Sequence, residues 1–309
     1  MNTRVHRGED GVLYLVGGSN DVISLYTAEG FASAVSVSAW RERLAAREAL
    51  FARLGIPWRL LLAPEKLSVM GLEVASGLIG APAVPPAERL ISALPHACLV
   101  DPAGYLRDQV RAGYAIYPAT DSHWTSLGAL SAFQWLMHAF GMSPDYGVYA
   151  GCAGQVLRYH GDLWEERFGD IGVDWFERRQ IPETLVCTEA NALVQFKERI
   201  GRENDGRLHT GSAATWRNSA AQFDQRVVLF GSSFSDYRAA CSLLTFVAAL
   251  FFREVHFVWS TSVDVGLVER LAPDLVILEM PERFLPLCPG DELDLERYAR
   301  GRIEAFELG

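Results

Sequence analysis

Short apolar runs alternate with stretches of helical periodicity along most of the chain. Ile56 to Leu62 is an apolar run bounded by a proline, which is typical of a buried parallel strand. Residues 38 to 54 repeat apolar side chains at helical spacing, and Gly55 follows as a stop signal. Ser126 to Phe140 shows the same helical pattern and is followed by Gly141. This alternation predicts an α/β domain with a parallel sheet and helices on both faces.

The remaining elements follow from the same rules. Further strands are predicted at Gly11 to Gly17, Cys98 to Val100, Tyr114 to Tyr117, Val227 to Phe230, Val255 to Trp259 and Leu275 to Leu278. Further helices are predicted at Ala87 to Leu94, Asp236 to Phe252 and Val263 to Leu271. Periodicity weakens between about residues 145 and 224. We therefore expect one α/β domain over residues 1 to 309, with an inserted, strand-rich subregion at about 145 to 224.

Charge and cysteine usage exclude some classes of function. The formal net charge is −10, and the basic clusters are interrupted by glutamates, so no basic stripe for a nucleic acid is present. The five cysteines lie far apart, and no CxxC spacing indicates a metal or redox site. Isolated thiols of this kind are typical of a reduced, cytosolic protein.

The sequence predicts neither an export signal nor a membrane span. The first ten residues are polar and charged, and no apolar segment of a signal peptide follows a basic start. The most apolar stretch, Cys241 to Phe252, is only 12 residues long. It is too short to cross a bilayer and is typical of a buried core helix. These features favour a soluble, cytoplasmic protein.

The turn Gly231-Ser232-Ser233-Phe234-Ser235 lies between a predicted strand and a predicted helix. A hydroxyl at such a junction lies beside backbone N–H groups that can stabilise an oxyanion. Gly231 gives the backbone freedom for a tight turn and is a candidate oxyanion residue. The alternative is that these serines only cap the following helix.

The tripeptide Asp121-Ser122-His123 precedes the helix predicted at Ser126. A histidine before a helix N-terminus is disfavoured as the imidazolium and can act as a base. Asp121 can hold the imidazole in the required tautomer. The alternative is an ordinary loop histidine whose ring is satisfied by a cap or by water.

The two segments together contain a serine, a histidine and an aspartate at strand-to-helix junctions of one α/β pattern. Open α/β sheets present side chains at the carboxyl ends of their strands, so the fold can bring the segments together. These are the parts of an acyl-transfer triad. The pattern therefore favours a serine-dependent carbohydrate esterase or O-acetyltransferase.

The order of several motifs resembles the SGNH-hydrolase-like domain of the alginate O-acetyltransferase family. In that family an Asp-x-His-Trp segment precedes a helix, and a later glycine-serine turn carries the nucleophile. The matching segments are Asp121 to Trp124, Gly231 to Ser235, Gly17 to Asp21, Pro64 to Lys66, Gly128, Gly161 to Leu163, Asn218 and Glu282 to Phe284. The resemblance covers roughly residues 10 to 285.

The resemblance implies roles for individual residues. Ser233 is the nucleophile, His123 the base and Asp121 the residue that orients it. Because the order Asp, His, Ser inverts that of ordinary SGNH esterases, it implies a circularly permuted, flavodoxin-like sheet. It also implies an acetyl donor, such as one supplied by a membrane O-acyltransferase, and a sugar or polysaccharide acceptor. No cofactor and no metal are implied, and the family's usual location is the periplasm.

Other residues are candidates for the oxyanion site or for substrate binding. Asn20 and Asn218 are the candidate oxyanion amides. Trp124 and Tyr237 offer flat aromatic faces for a sugar ring, although such rings more often belong to a core. Arg283, in Glu282-Arg283, belongs either to a structural or substrate-positioning pair at the carboxyl end of a strand or to a surface ion pair.

Three functions remain open at this stage. Transfer and hydrolysis share an acyl-enzyme and differ in whether a sugar or water accepts the acetyl group. A carbohydrate O-acetyltransferase and a carbohydrate acetylesterase therefore have the same sequence signature. The third function is a catalytically inactive glycan-binding or scaffold subunit of a polysaccharide assembly complex.

Overall fold

A computed structural model describes residues 4–18, 20–150, 154–169 and 174–308. Its strands are β1 Val5–Arg7, β2 Leu13–Leu15, β3 Trp58–Ala63, β4 Leu99–Val100, β5 Gly154–Tyr159, β6 Asp174–Arg179, β7 Leu185–Ala190, β8 Ala213–Asn218, β9 Phe223–Gly231, β10 Phe252–Trp259 and β11 Leu275–Pro281. Its α-helices are α1 Ala28–Ala34, α2 Val37–Leu54, α3 Lys66–Met70, α4 Leu72–Ile79, α5 Pro86–Ala93, α6 Ala103–Arg111, α7 Ser126–Ala139, α8 Gly147–Ala150, α9 Ala192–Arg199, α10 Leu244–Phe251, α11 Val265–Leu271 and α12 Leu295–Glu307. Cys152, one of the five cysteines, lies outside the described residues.

A seven-stranded sheet in the order β4-β3-β11-β9-β10-β8-β7 forms the centre of the molecule. Strands β4, β3, β11, β9 and β10 are parallel to one another. Strand β8 pairs antiparallel with both β10 and β7. The parallel strands therefore end at one common edge, where β9 and β11 are central neighbours. This mixed α/β sheet confirms the predicted fold class, while the circular permutation remains a prediction.

Helices cover both faces of the sheet because the central strands are apolar on both sides. In β9, Val227 and Leu229 pack in the core with α7 and α10, whereas Val228 and Phe230 pack on the other face with α2 and α11. Successive side chains of a strand point to opposite faces, so an uninterrupted apolar run suits a strand buried on both sides.

Two sequence predictions are wrong in ways that affect the site. Tyr114 to Tyr117 is irregular rather than a strand. The helix predicted from Asp236 begins only at Leu244. Asp236 has a left-handed backbone with φ 41°, which a right-handed helix cannot contain, and its buried side chain accepts the backbone N–H of Tyr237.

The segment from residue 145 to 224 is rich in strands, as expected, but it divides between two sheets. Strands β5 and β6 form a separate antiparallel hairpin. Strands β7 and β8 instead extend the edge of the central sheet beyond β10. The strand predicted at Gly11 to Gly17 is shorter than expected, and as β2 it pairs with β1 outside the central sheet.

None of the helices among the described residues has the length and apolarity that a membrane crossing requires. The predicted core helix near Cys241 to Phe252 corresponds to α10, all of whose residues are buried. Helix α10 contacts α7 and β10, so its apolar surface belongs to the core.

Candidate active site

The serine turn follows β9 at the carboxyl edge of the sheet, and its three serines have different surroundings. Ser232 donates to the carboxylate of Glu279 through its backbone N–H at 2.8 Å and through its hydroxyl at 2.8 Å. The Ser235 hydroxyl donates to the same carboxylate at 2.8 Å. Ser233 lies between them and faces the cleft. The turn is therefore anchored by its outer serines and presents only the middle one.

The space around residue 231 is too small for any side chain, so a glycine is required there. A Cβ on this residue would lie 2.5 Å from the Ser235 hydroxyl and 2.9 Å from a carboxylate oxygen of Glu279. Its φ is not among the positive values, so the backbone freedom expected from the sequence is not what selects glycine. Burial raises the pKa of the Glu279 carboxyl, while the serine donors oppose that rise.

The Asp121–His123 segment lies directly before α7, as predicted. Thr125 caps this helix by accepting a hydrogen bond from the backbone N–H of Gly128. The imidazole Nδ1 of His123 lies 2.9 Å from Oδ1 of Asp121, and the same oxygen accepts the backbone N–H of His123 at 2.9 Å. One carboxylate therefore fixes both the backbone and the ring of the histidine.

The structure brings the two predicted segments together. The other imidazole nitrogen of His123, Nε2, lies 2.8 Å from the Ser233 hydroxyl oxygen. In the tautomer in which Nδ1 donates to the Asp121 carboxylate, Nε2 carries no proton and accepts the hydrogen bond of the Ser233 hydroxyl. The hydrogen bonds run in series from Asp121 through His123 to Ser233.

Asp121 is held in its charged form. Burial alone would raise the pKa of its carboxyl, but the hydrogen bonds and charge of His123 outweigh burial and lower the pKa to about 2. The carboxylate is consequently ionised at neutral pH and can stabilise a positive charge on the imidazole.

Further buried side chains pack next to the serine turn and the His123 ring. The Phe234 ring is buried and lies 4.8 Å from the His123 ring and 4.7 Å from the Trp124 ring, centroid to centroid. The Arg283 guanidinium lies 5.6 Å from the Phe234 centroid and pairs with Glu65 at 2.8 Å. Arg283 and Glu65 thus form a buried structural ion pair next to the turn. The surface ion pair considered for Arg283 from the sequence is wrong.

Two aspartates hold the irregular loop that carries Asp121 and His123. Asp162 accepts the backbone N–H of Ser122 at 2.7 Å and its hydroxyl at 2.8 Å. Asp174 accepts the backbone N–H groups of Ala119 and Thr120 at 2.7 and 2.6 Å. The loop is therefore fixed by the carboxylates of a segment that lies far along the chain.

Lys66 fixes the same loop from the opposite side. Its ammonium donates to the carbonyls of Leu13 and Ala119 at 2.8 and 3.2 Å. Burial lowers the pKa of Lys66 to about 8, although nearby carboxylates, Asp121 first among them, oppose that change. The sequence analysis noted Lys66 and Asp162 only as parts of matching motifs and did not identify Asp174 or Glu279.

The Ser233 hydroxyl opens onto a cleft of about 1000 Å³, which we call the main cleft. Its polar lining includes the side chains of Asp121, His123, Asp162, Arg158 and Arg238. Apolar lining is contributed by Pro118, Trp124, Leu127, Leu243 and Trp259, among others. A cleft of this size is large enough for a small organic ligand.

The candidate oxyanion amides lie elsewhere. The Asn218 amide donates to the carbonyls of Ala249 and Leu250. Its strand runs antiparallel to β10, so Asn218 lies near the start of β10, at the sheet edge opposite Ser233. Asn20 precedes a 3-10 helix and is not among the described residues that line the main cleft. The Ser233 N–H, in contrast, makes no hydrogen bond within the described part of the chain.

The two candidate aromatic residues are both buried, which is the more frequent case considered for such rings from the sequence. Trp124 borders the main cleft, but its ring is buried and its indole N–H donates to the Ser242 carbonyl at 2.8 Å. Tyr237 is buried in the core, where the Lys197 ammonium lies 4.6 Å from its ring centroid. Tyr237 is not in the described lining of the cleft. Trp259, which the sequence analysis did not select, lies in that lining.

Asp121, His123 and Asp162 offer ligand atoms within 4.8 Å of one another, a spacing that a metal ion could use. These atoms already bond to one another or to neighbouring protein groups: His123 to Asp121 and Ser233, and Asp162 to Ser122. The cluster is therefore fully explained as a hydrogen-bond network.

Comparison with solved structures identifies the fold. The O-acetyltransferase domain of AlgJ from Pseudomonas putida is 15% identical, with a TM-score of 0.52 over 97% of this chain and 99% of that chain. PatB1 from Bacillus cereus with a sulfonyl adduct is 13% identical, with a TM-score of 0.58 over 91% and 95%. A DHHW family protein from Eubacterium siraeum is 13% identical, with a TM-score of 0.54 over 98% of both chains.

This chain shares the fold of the AlgJ O-acetyltransferase domain. The resemblance drawn from the sequence motifs is thereby confirmed at the level of the fold. No protein-family model matches the chain, and no curated protein matches it either.

Proposed function

We propose that this protein is a carbohydrate O-acetyltransferase that carries the acetyl group on Ser233. The observation that supports this most is the hydrogen-bond series from Asp121 through His123 to Ser233 at the wall of an open cleft. A serine bonded to an oriented base has the arrangement of an activated nucleophile. The anchoring of Ser232 and Ser235 to Glu279 singles out Ser233 among its neighbours.

In the first step, the Ser233 oxygen attacks the carbonyl carbon of the acetyl donor while Nε2 of His123 takes the serine proton. The Asp121 carboxylate stabilises the imidazolium that forms. The Ser233 N–H is the donor best placed for the negative oxygen of the tetrahedral intermediate, because it has no partner in the described part of the chain. The bond from the carbonyl carbon to the leaving group then breaks, and His123 returns the proton to that group.

In the second step, a hydroxyl of the sugar acceptor attacks the acetyl carbon of acetyl-Ser233. His123 takes the proton of this hydroxyl and gives it to the serine oxygen as the acyl bond breaks. The products are an acetylated sugar and free Ser233. Water in place of the sugar gives acetate, so the esterase alternative uses the same residues.

The fold supports this assignment over an unrelated acyl-transfer activity. One structure that shares it is named as an O-acetyltransferase domain, and another was solved with a sulfonyl adduct. The name of the first protein gives the reaction class that we propose here. We further propose that the acetyl donor and a sugar or polysaccharide acceptor bind in turn at the Ser233 end of the main cleft.

Purified protein with 4-nitrophenyl acetate and a panel of oligosaccharides tests the proposal. We expect a burst of 4-nitrophenol equal to the enzyme concentration, followed by acetyl transfer to a sugar that competes with hydrolysis. Acetate as the sole product with every sugar would support the esterase alternative. Absence of any 4-nitrophenol release by the folded protein would support the inactive glycan-binding or scaffold alternative.

A further inference from the structure

A second cavity lies on the other side of the serine turn. This cavity, which we call the side groove, has a volume of about 530 Å³. Ser232 lines the side groove and Ser233 lines the main cleft, and Trp259 lines both. The two cavities therefore share Trp259 as a lining residue, and the adjacent serines Ser232 and Ser233 line one cavity each. Its lining comprises Thr210, Gly231, Ser232, Trp259, Ser260, Thr261, Ser262, Phe284, Leu287, Gly290, Glu292, Leu293 and Tyr298.

The aromatic walls of the side groove are held in place by one backbone segment. The backbone N–H and C=O of Trp259 bond to Ser212 and Gly211 at 2.8 and 2.9 Å. The Tyr298 ring packs so closely on Gly211 that a Cβ there would lie 2.6 Å from it. Tyr298 is nevertheless 37% exposed. The Tyr298 ring is thus fixed against Gly211 with part of its surface open, and the Trp259 ring stacks on the His209 ring at 4.5 Å between centroids.

Several polar groups of the side groove have no protein partner among the described residues. The hydroxyls of Thr261, Ser262 and Tyr298 and the indole N–H of Trp259 make no hydrogen bond within the described residues. Ring faces next to unpaired hydroxyls match a sugar, which presents C–H groups on its faces and hydroxyls at its rim. Ligand sites generally combine apolar walls with a few placed polar groups in this way.

The charge of the side groove selects among sugars. In the described lining Glu292 is the one charged side chain, and no lysine or arginine is present. The main cleft differs, because Arg158 and Arg238 contribute to its lining. A polyuronate chain in the side groove would bring carboxylates beside Glu292 with no cation to balance them, which like-charge repulsion disfavours.

We propose that the side groove binds an uncharged glycan as the acetyl acceptor, with its chain lying across Trp259 towards Ser233. This inference rests on the proposed function only in calling the bound glycan the acetyl acceptor. Binding of the glycan in the side groove does not depend on it. Binding along the groove would place a sugar hydroxyl beside acetyl-Ser233 while the donor enters through the main cleft. Holding the acceptor in this way favours transfer over hydrolysis, because a positioned hydroxyl competes with water at a high effective concentration.

Fluorine NMR of the Ser233→Ala chain labelled with 5-fluorotryptophan tests the inference without turnover. Trp259 is one of eight tryptophans, and Trp259→Phe assigns its resonance. We expect saturable shifts of this resonance with cellotetraose or chitotetraose, and an affinity for tetragalacturonate lower by about tenfold or more. The inference is overturned if neither neutral sugar shifts Trp259, if shifts occur only at another exposed tryptophan such as Trp135, or if the uronate binds equally well.

Two pairs of variants assign the binding to the side groove. Tyr298→Ala should weaken neutral-sugar binding by about tenfold, whereas Tyr105→Ala, in a partly buried tyrosine outside both linings, should not. Glu292→Lys should strengthen binding of tetragalacturonate by about tenfold, whereas Glu296→Lys makes the same change of charge outside the groove and should not. Equal effects within each pair would overturn the assignment, and the second pair keeps the test valid if Tyr298→Ala does not fold.

The result is separable from the proposed function. Binding of a neutral glycan in the side groove of a protein that shows no acyl transfer would support the groove and contradict the transferase. Acetyl transfer to a sugar that leaves the Trp259 resonance unchanged would support the transferase and contradict the groove.

Discussion

The three serines of one turn have different roles because the middle one contacts a different group from the outer two. Ser233 contacts His123, whereas Ser232 and Ser235 contact the buried carboxylate of Glu279. The helix-capping role considered from the sequence is wrong for all three, since α10 begins at Leu244. The contacts of each hydroxyl therefore predict distinct effects of substitution.

Ser233→Ala should abolish nearly all acyl transfer, because no covalent intermediate can form. Ser232→Ala and Ser235→Ala should instead each lower the free energy of unfolding by about 1–3 kcal/mol, since each leaves buried Glu279 with fewer donors. Turnover and thermal melts of the three variants check this. Wild-type turnover in Ser233→Ala would show that another residue is the nucleophile.

Asp121→Asn should lower kcat by about 10⁴-fold, because an amide no longer selects the imidazole tautomer that accepts the serine proton. The pKa of Asp121 is about 2, so its carboxylate is already charged well below neutral pH. The loss should therefore be similar at each pH from about 4 to about 9. Asp108→Asn, at an exposed surface pair with Arg111, is the matched control. A loss that disappears at high pH would contradict this account.

At the residue scale, the sequence predicted those site residues whose neighbours in the chain form a recognisable motif. Asp121 and His123 are two positions apart before a helix, and Ser233 lies in a glycine-serine turn after a strand, so both segments could be identified. Glu279 could not, because its contact with the turn depends on how β11 lies beside β9. The Asn218 candidate was wrong for the same reason, because the sheet edge at which this amide lies depends on how β8 pairs with β10.

At the scale of elements, the loop before α7 depends on its neighbour around Asp162. Leu163 donates its backbone N–H to the Thr120 carbonyl, and Gly161 packs directly on Asp121. The strand predicted at Tyr114 to Tyr117 does not form, since the Ile116 carbonyl accepts from the Thr125 N–H instead of a strand. The contact between the loop before α7 and the segment around Asp162 could not be predicted from the sequence, because the two segments are far apart in the chain.

Gly161→Ala should reduce turnover more than it reduces stability. The new Cβ would lie 2.4 Å from the Thr120 carbonyl oxygen and 2.5 Å from Cα of Asp121, so the loop must shift. A displacement of about 1 Å can cost about 100-fold in rate. Gly206→Ala, where a Cβ meets nothing within 4 Å, is the control. Equal turnover in the two variants would show that the packing of Gly161 does not position Asp121.

The 3-10 helix after β11 should make stability depend on pH through Glu282. Burial raises the pKa of this carboxyl to about 8 from an ordinary value of 4.5, although donors such as Ser68 oppose the change. Between these values the unfolded chain releases a proton that the folded chain retains, so unfolding becomes more favourable as pH rises. Thermal melts should therefore show stability falling from about pH 5 to about pH 8.

Glu282→Gln should remove much of that pH dependence, because glutamine cannot ionise. Glu269→Gln, at an exposed pair with Arg53, should retain it. The same slope in Glu282→Gln and the wild type would assign the pH dependence to other groups.

At the scale of the whole molecule, alternating apolar runs and helical periods were sufficient to predict the central sheet and its layers. They were not sufficient to place β7 and β8, which join the edge of that sheet, or β5 and β6, which form a hairpin apart from it. Strand β7 buries only Leu185, and polar residues such as Thr215 and Asn218 interrupt the apolar pattern of β8, so periodicity alone does not assign them to the central sheet. The side groove is also a property of the whole fold, since Gly231, Trp259 and Tyr298 come from three separate elements.

The central claim is that Ser233 forms a covalent acyl-enzyme with the help of His123 and Asp121. Labelling the full chain with methanesulfonyl fluoride, followed by intact mass and peptide mapping, tests it most directly. The account predicts one methanesulfonyl group per chain, located on Ser233, with labelling slowed strongly in His123→Ala and absent in Ser233→Ala. A group on Ser232, on Ser235 or on a residue outside the turn, or unchanged labelling of Ser233→Ala, would contradict it.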